Sequence, residues 1–185
     1  WRALVAGKNG IAPITSFDAS LFKTHFAGEV KGFDPTAVID RKEARKMDRY
    51  SQFSVCVADE ALRDSGLDLE KEDRSRVGVI WGSGMGGLQS TEEEIIDFAK
   101  GDGVPRFNPF MIPKAIPSIA AGHISIRFGL GGPSFSVSTA CSSSSHAVGT
   151  AFDQIRLGHA DVLLTGGADA DVTYTGIGGF TSLPR

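Results

Sequence analysis

The longest regular pattern in the chain runs from Arg49 to Ser65, where Phe53, Cys56, Val57, Ala61 and Leu62 fall on or near one face at helical spacing. That spacing predicts an amphipathic helix, and Gly66 is the residue type that closes one in a left-handed turn. Arg76-Val77-Gly78-Val79-Ile80-Trp81 has no polar alternation after its first residue and reads as a buried strand. It leads into Gly82-Ser83-Gly84-Met85-Gly86-Gly87, and Ser90-Thr91-Glu92-Glu93-Glu94 then opens a helix with acids in its first turn. Residues 101–113, rich in Gly and Pro, read as a loop, and a helix is expected from about Ser118 to Phe128. Ser134 to Ala140 reads as a strand, and Ser142 to about Leu157 as a helix ending at Gly158. This helix carries Ala147, Val148, Ala151, Phe152 and Ile155 on more than one face, so it is expected to be buried all round. Asp161 to Thr165 is the next buried strand, so strand, helix and strand form a βαβ unit and imply a parallel sheet. Before these elements, residues 1–35 have little periodicity and read as irregular chain with short helical turns.

Composition narrows the class. The 185 residues are 41% hydrophobic and 22% charged, ordinary for one soluble α/β domain, and the 23 glycines suit tight turns and close backbone approaches. A net charge of −3 gives no reason to expect a nucleic-acid partner. No apolar run is long enough to span a membrane, so a soluble, cytoplasmic protein is expected. Trp1-Arg2-Ala3-Leu4 has neither an initiator Met nor a signal-peptide layout and reads as the start of a fragment. Two distant cysteines argue against a disulfide scaffold, no Cys/His spacing fits a metal site, and no cofactor is implied.

The candidate chemistry centres on Cys141. It lies in Val137-Ser138-Thr139-Ala140-Cys141-Ser142-Ser143-Ser144, at a strand-to-helix junction. Unpaired N–H groups and the helix dipole favour negative charge there, so a thiol so placed is a candidate covalent nucleophile. The competing reading is a small buried apolar residue, the commoner fate of free cysteine and the one expected for Cys56. Gly82, Gly84 and Gly87 match a dinucleotide-binding spacing, but no second strand ends in an acid, and Asp102 sits in a loop. A backbone turn packed against a neighbouring element fits these glycines better. His25 and His159 are expected at the surface, and His123 and His146 in structural roles. His146 is five residues beyond Cys141, about 140° round a helix that turns ~100° per residue. Lys42, Arg45, Lys46 and Arg49, diluted by Glu43 and Asp48, form a basic cluster at helical spacing. It is either a solvated face or a landing site for an acidic partner.

Together these motifs resemble the β-ketoacyl-acyl-carrier-protein synthases, condensing enzymes of the thiolase superfamily. The likeness is carried by the segment around Cys141 and by 41–48, 82–87, Asn108-Pro109-Phe110, Ala121-Gly122-His123, Gly132-Pro133-Ser134, Gly166-Gly167-Ala168 and 176–180, in family order and spacing. It is strongest to the type II elongation enzymes of fatty-acid synthesis. Polyketide ketosynthases, CoA-dependent thiolases and a truncated non-catalytic partner subunit remain alternatives.

The resemblance implies a thiolase-like five-layer α-β-α-β-α fold, of which residues 1–185 supply mainly the N-terminal half. It implies that Cys141 takes an acyl chain from a carrier protein and that its own N–H helps hold the oxyanion. It places Met85, Met111 and Phe180 at an acyl pocket, and Lys42, Arg45, Lys46, Arg49 and Arg106 at a carrier-protein landing site. It further implies a homodimer paired through the strand Ser134 to Ala140, with the segment around Asn108 to Met111 reaching the partner's pocket. The family's catalytic histidines and lysine belong to the other half, so this chain alone is expected to be inactive in condensation and poorly soluble. The ending Ser182-Leu183-Pro184-Arg185 departs from the family pattern, in which a basic residue near here meets the carrier protein.

Overall fold

The computed structural model describes residues 1–183; the expectation drawn from Pro184 lies outside them. In chain order the elements are α1 (Arg2–Val5), β1 (Ala12–Pro13), β2 (Phe26–Ala27), α2 (Arg41–Ala44), α3 (Arg49–Ser65), β3 (Val77–Gly82), α4 (Leu88–Lys100), α5 (Met111–Ala115), α6 (Ile119–Phe128), β4 (Ser134–Val137), α7 (Ser143–Arg156), β5 (Val162–Gly167) and α8 (Tyr174–Thr181). They form two compact units. One comprises residues 1–34 with 171–183, and the other residues 35–170.

In the smaller unit, β1 and β2 pair antiparallel, a short ladder that the weak periodicity of residues 1–35 did not reveal. Phe17 lies 5.3 Å from Phe22 and 4.5 Å from Tyr174, ring centre to ring centre, so one aromatic cluster ties the early segment to α8. Glu29 accepts hydrogen bonds from the backbone N–H groups of Thr15 and Ser16 and from the Thr15 hydroxyl. These bonds, the Thr15 hydroxyl foremost, hold its carboxyl down at about 2.

The larger unit is built on a parallel sheet in the order β4-β3-β5. Side chains alternate across β3 as a pleated strand requires. Val77, Val79 and Trp81 face a core completed by Tyr50, Val55 and Ala58 of α3 and Ala120, Ala121 and Ile124 of α6. Ile80 faces the other way, onto Ala147 and Ala151 of α7 with Val137 and Leu163. Helices therefore cover both faces of the sheet, as a parallel sheet demands. Buried polar groups are satisfied across elements. The Trp81 indole donates to Ser54 Oγ at 2.8 Å, and the Tyr50 hydroxyl donates to the Ile116 carbonyl at 2.6 Å. Burial is the main reason that the Tyr50 hydroxyl is pushed up to about 12.

The helix predicted over 49–65 has those bounds, with Gly66 in the left-handed region at φ 69°. Cys56 is partly buried against the core, as expected. Other boundaries moved for tertiary reasons. α4 starts at Leu88, so its glutamates lie beyond the first turn; the negative charge at its start is supplied by Asp48, whose carboxylate accepts from the Ser90 N–H at 2.9 Å. Met111, Ile112 and Pro113 are helical, so the expected loop ends earlier. β4 stops at Val137, not Ala140, because the chain turns sharply into α7. Nor is α7 buried all round: only Ser143, Ala147 and Ala151 are buried, and Phe152 is 60% exposed with Val148 and Ile155 also exposed. One face meets the sheet, and the opposite face meets nothing else among the described residues.

His123 on α6 is half-buried, and that burial pulls its imidazole below the usual histidine value, partly offset by the Glu43 charge. The folded chain then binds this proton less readily than the unfolded chain. His123 should cost no stability above the ordinary value of ~6.5, with stability lost as pH falls through that value toward the folded one. Denaturant midpoints measured at pH 7.5 and 5.5 should converge in His123→Gln relative to the parent. An unchanged gap between the two pH values would refute the assignment.

Candidate active site

Three strand ends and a helix start converge at the carboxyl edge of the parallel sheet, the usual place for a site in such sheets. After β4, Ala140 adopts φ 52°, the only left-handed non-glycine among the described residues. A strained backbone of this kind costs about 1–3 kcal/mol and persists only where its surroundings hold it. Ser143 supplies that hold. Its hydroxyl accepts from the Thr139 N–H at 2.9 Å and donates to the Ala140 carbonyl at 2.7 Å, and its own N–H reaches the same carbonyl at 3.1 Å. The result presents Cys141 exposed, directly before Ser142, the N-cap of α7. Within residues 1–183 this thiol is not packed into the core.

Glycines let the helix start come so close. A side chain at Gly82 would sit 2.6 Å from the Ser144 amide nitrogen, and one at Gly167 would sit 2.9 Å from the Ser144 Cβ. The loop after β3 is equally constrained. Gly86, at φ 65°, leaves no room for a Cβ, which would stand 2.6 Å from the Ala115 carbonyl, and Gly87 abuts the Lys114 carbonyl. These glycines pack as a close turn against neighbouring backbone, as expected. The loop lies against the Cys141 turn, for a Cβ on Gly84 would be 3.3 Å from the Ala140 carbonyl oxygen. Met85, 47% exposed, follows at once. Met111 begins α5, the helix against which Gly86 and Gly87 pack. Cys141, Met85 and Met111 are thus carried by three neighbouring segments. Phe180 lies on α8 in the smaller unit, 54% exposed.

The basic cluster differs from its sequence reading. Its residues do not share one helical face, because α2 ends at Ala44 and Asp48 starts α3. Asp48 does not dilute surface charge; it is 1% exposed and caps two helices. Lys42 and Arg45 are exposed, Lys46 pairs with Glu43 at 2.6 Å and lies 5.8 Å from the Phe110 ring, and Arg49 stacks 5.1 Å from Phe53. Arg106 pairs with Asp102 at 3.1 Å. His25 and His159 are exposed, as anticipated, and so is His146. No group of His, Cys, Asp and Glu among the described residues could hold a metal ion. No described helix is long and apolar enough to cross a membrane.

The profile of the β-ketoacyl synthase N-terminal domain matches residues 1–184. The chain belongs to the β-ketoacyl synthase family. Among its relatives, a 3-oxoacyl-[acyl-carrier-protein] synthase 2 from Coxiella burnetii is 43% identical over 99% of this chain and 44% of its own length. One of the same name from Vibrio cholerae is 42% identical over 97% of the chain and 43% of its own length. The chain thus spans less than half the length of these relatives and corresponds to their N-terminal part. Solved structures agree. The ishigamide ketosynthase/chain length factor superposes with a TM-score of 0.86 at 28% identity, over 97% of this chain and 44% of its own. A β-ketoacyl synthase from Burkholderia phymatum gives 0.81 at 28% identity with the same coverage. A type II polyketide ketosynthase bound to its acyl-carrier protein gives 0.74 at 28% identity, over 80% of this chain and 42% of its own. The fold is therefore thiolase-like α/β, and the chain forms its N-terminal half.

Proposed function

We propose that this chain is the nucleophile-bearing half of a condensing acyltransferase of fatty-acid biosynthesis. The observation that carries the proposal is the exposed Cys141 between left-handed Ala140 and the start of α7. In the proposed reaction the Cys141 thiolate attacks the thioester carbonyl of an acyl-carrier protein. The tetrahedral oxyanion is met by the Cys141 N–H, and the phosphopantetheine thiol leaves. Malonyl-carrier protein then loses carbon dioxide, and the resulting carbanion attacks the acyl-cysteine carbonyl. That step releases the Cys141 thiolate and yields 3-oxoacyl-carrier protein. The histidines and lysine that assist decarboxylation belong, in the family, to the other half. Met85 and Met111 would line the acyl pocket, where each buried CH₂ gains about 0.8 kcal/mol.

Two partners complete the proposal. A homodimer would pair through β4, which is an edge strand of the sheet and leaves Phe135 exposed. The acidic carrier protein would land on Lys42, Arg45, Lys46, Arg49 and Arg106. The test is mass analysis of the Cys141 peptide after mixing the full-length protein with acyl-carrier protein, followed by malonyl-carrier protein and assay for the 3-oxoacyl product. Absence of an acyl adduct on Cys141 would overturn the reading. A polyketide ketosynthase is the second reading, favoured by the 0.86 superposition on a ketosynthase/chain length factor pair. A single condensation per substrate separates the fatty-acid enzyme from one that extends an unreduced ketone chain repeatedly.

The landing site makes its own prediction. Lys46→Glu should raise the KM for acyl-carrier protein about fivefold at low salt, with the effect shrinking as ionic strength shortens the Debye length from ~10 Å toward ~3 Å. Acylation by a small acyl thioester should stay unchanged. An equal loss on both substrates would make the cluster a structural feature only.

A further inference from the structure

We infer that Asp169, just beyond β5, is a positioning residue that holds the acyl-pocket loop against the nucleophile turn. The inference rests on the acyl-transfer reading of Cys141. Asp169 lies 86 residues from Ser83 in sequence, yet its carboxylate gathers most of the donors of the loop after β3. It accepts from the Ser83 hydroxyl at 2.8 Å, from the Gly84 N–H at 3.0 Å and from the Met85 N–H at 3.1 Å. Ser83 Oγ in turn accepts from the Gly86 N–H at 3.0 Å. One carboxylate and one buried hydroxyl thus order four consecutive residues.

The loop so held has neighbours on both sides. Gly84 lies against the Ala140 carbonyl, and Gly86 lies against the Ala115 carbonyl at the end of α5. Asp169 therefore sets the place of Met85 between the Cys141 turn and the helix that begins with Met111. Asp169 is itself exposed, as are Met85 and Cys141, so the clasp works at the mouth of the site and not in the core. Charge-assisted hydrogen bonds to backbone N–H groups are among the stronger kind, and a carboxylate, having only acceptors, matches a loop edge that presents only donors. The Cys141 turn has its own clamp in Ser143, independent of Asp169. Loss of Asp169 should consequently disturb the pocket wall more than the thiol.

The experiment compares the full-length parent with Asp169→Ala, which removes the carboxylate oxygens that accept from the Ser83 hydroxyl and from the Gly84 and Met85 N–H groups. Two rates are read at Cys141: transfer from a dodecanoyl thioester, which needs the pocket, and alkylation by iodoacetamide, which does not. Dodecanoyl transfer should fall about tenfold, mostly through KM, while alkylation stays within about twofold and the melting temperature moves little. Ser83→Ala, which removes the hydroxyl shared by Asp169 and Gly86, should show the same selective loss at about threefold. Unchanged dodecanoyl transfer in both variants, or a parallel fall of both rates, would overturn the inference. Failure of the parent itself to take up dodecanoyl at Cys141 would instead overturn the acyl-transfer reading.

Discussion

Replacing Cys141 with alanine in the full-length protein is expected to abolish ketoacyl product, a loss of at least about a thousandfold, because in the proposed reaction Cys141 carries the acyl chain between the two half-reactions. Cys141→Ser keeps a hydroxyl of similar size but a far weaker nucleophile, and should be nearly as inactive. Folding should survive both changes. The side chain is exposed, and the turn is held by Ser143 and the glycines at 82 and 167 rather than by the thiol. Brief iodoacetamide treatment of the parent should label Cys141 before Cys56, which packs partly buried against the core. Peptide mapping with a product assay reads both results. Activity retained in Cys141→Ala, or preferential labelling of Cys56, would remove Cys141 from the reaction.

The largest expected effect on stability is at Asp48. Its carboxylate accepts from the Tyr50 N–H at 3.0 Å and from the Ser90 N–H at 2.9 Å, so one buried side chain caps α3 and tethers the first turn of α4. Asp48→Ala leaves two buried donors without a partner and removes a negative charge from two helix starts. A helix cap alone is worth about 0.5–2 kcal/mol, and an unsatisfied buried donor costs about 1–3 kcal/mol, so a loss of about 3 kcal/mol is expected. Asp48→Asn retains one acceptor oxygen and should lose about half as much. Urea unfolding of both variants, with the slopes compared to the parent, measures this. A loss below about 0.5 kcal/mol, the size of an ordinary surface substitution, would contradict the double cap.

Asp48 also shows where local reading stops. In the chain it stands among Lys46, Met47 and Arg49 and looks like one more surface charge, because nothing nearby in sequence announces that Ser90 will be its second partner. Asp169 is concealed in the same way, in a Gly-Ala-Asp-Ala run whose purpose depends on Ser83, Gly84 and Met85.

What the chain determined alone was whatever depends on residues within a turn or two of each other. The helical spacing over 49–65 with Gly66 at its end, the apolar run that becomes β3, the βαβ order and the thiol at a strand-to-helix junction are all of this kind. Family resemblance read from the same motifs agreed with the relatives and the superpositions. The tertiary structure decided what depends on distant partners. It ended β4 at Val137, bent Ala140 into the left-handed region under the clamp of Ser143, and exposed Cys141. It also made the buried Asp48 a cap shared by α3 and α4 and joined the exposed Asp169 to the loop after β3. The physical reason is that helix periodicity and turn chemistry are short-range, whereas a strained turn and a shared cap exist only when separate segments are held together.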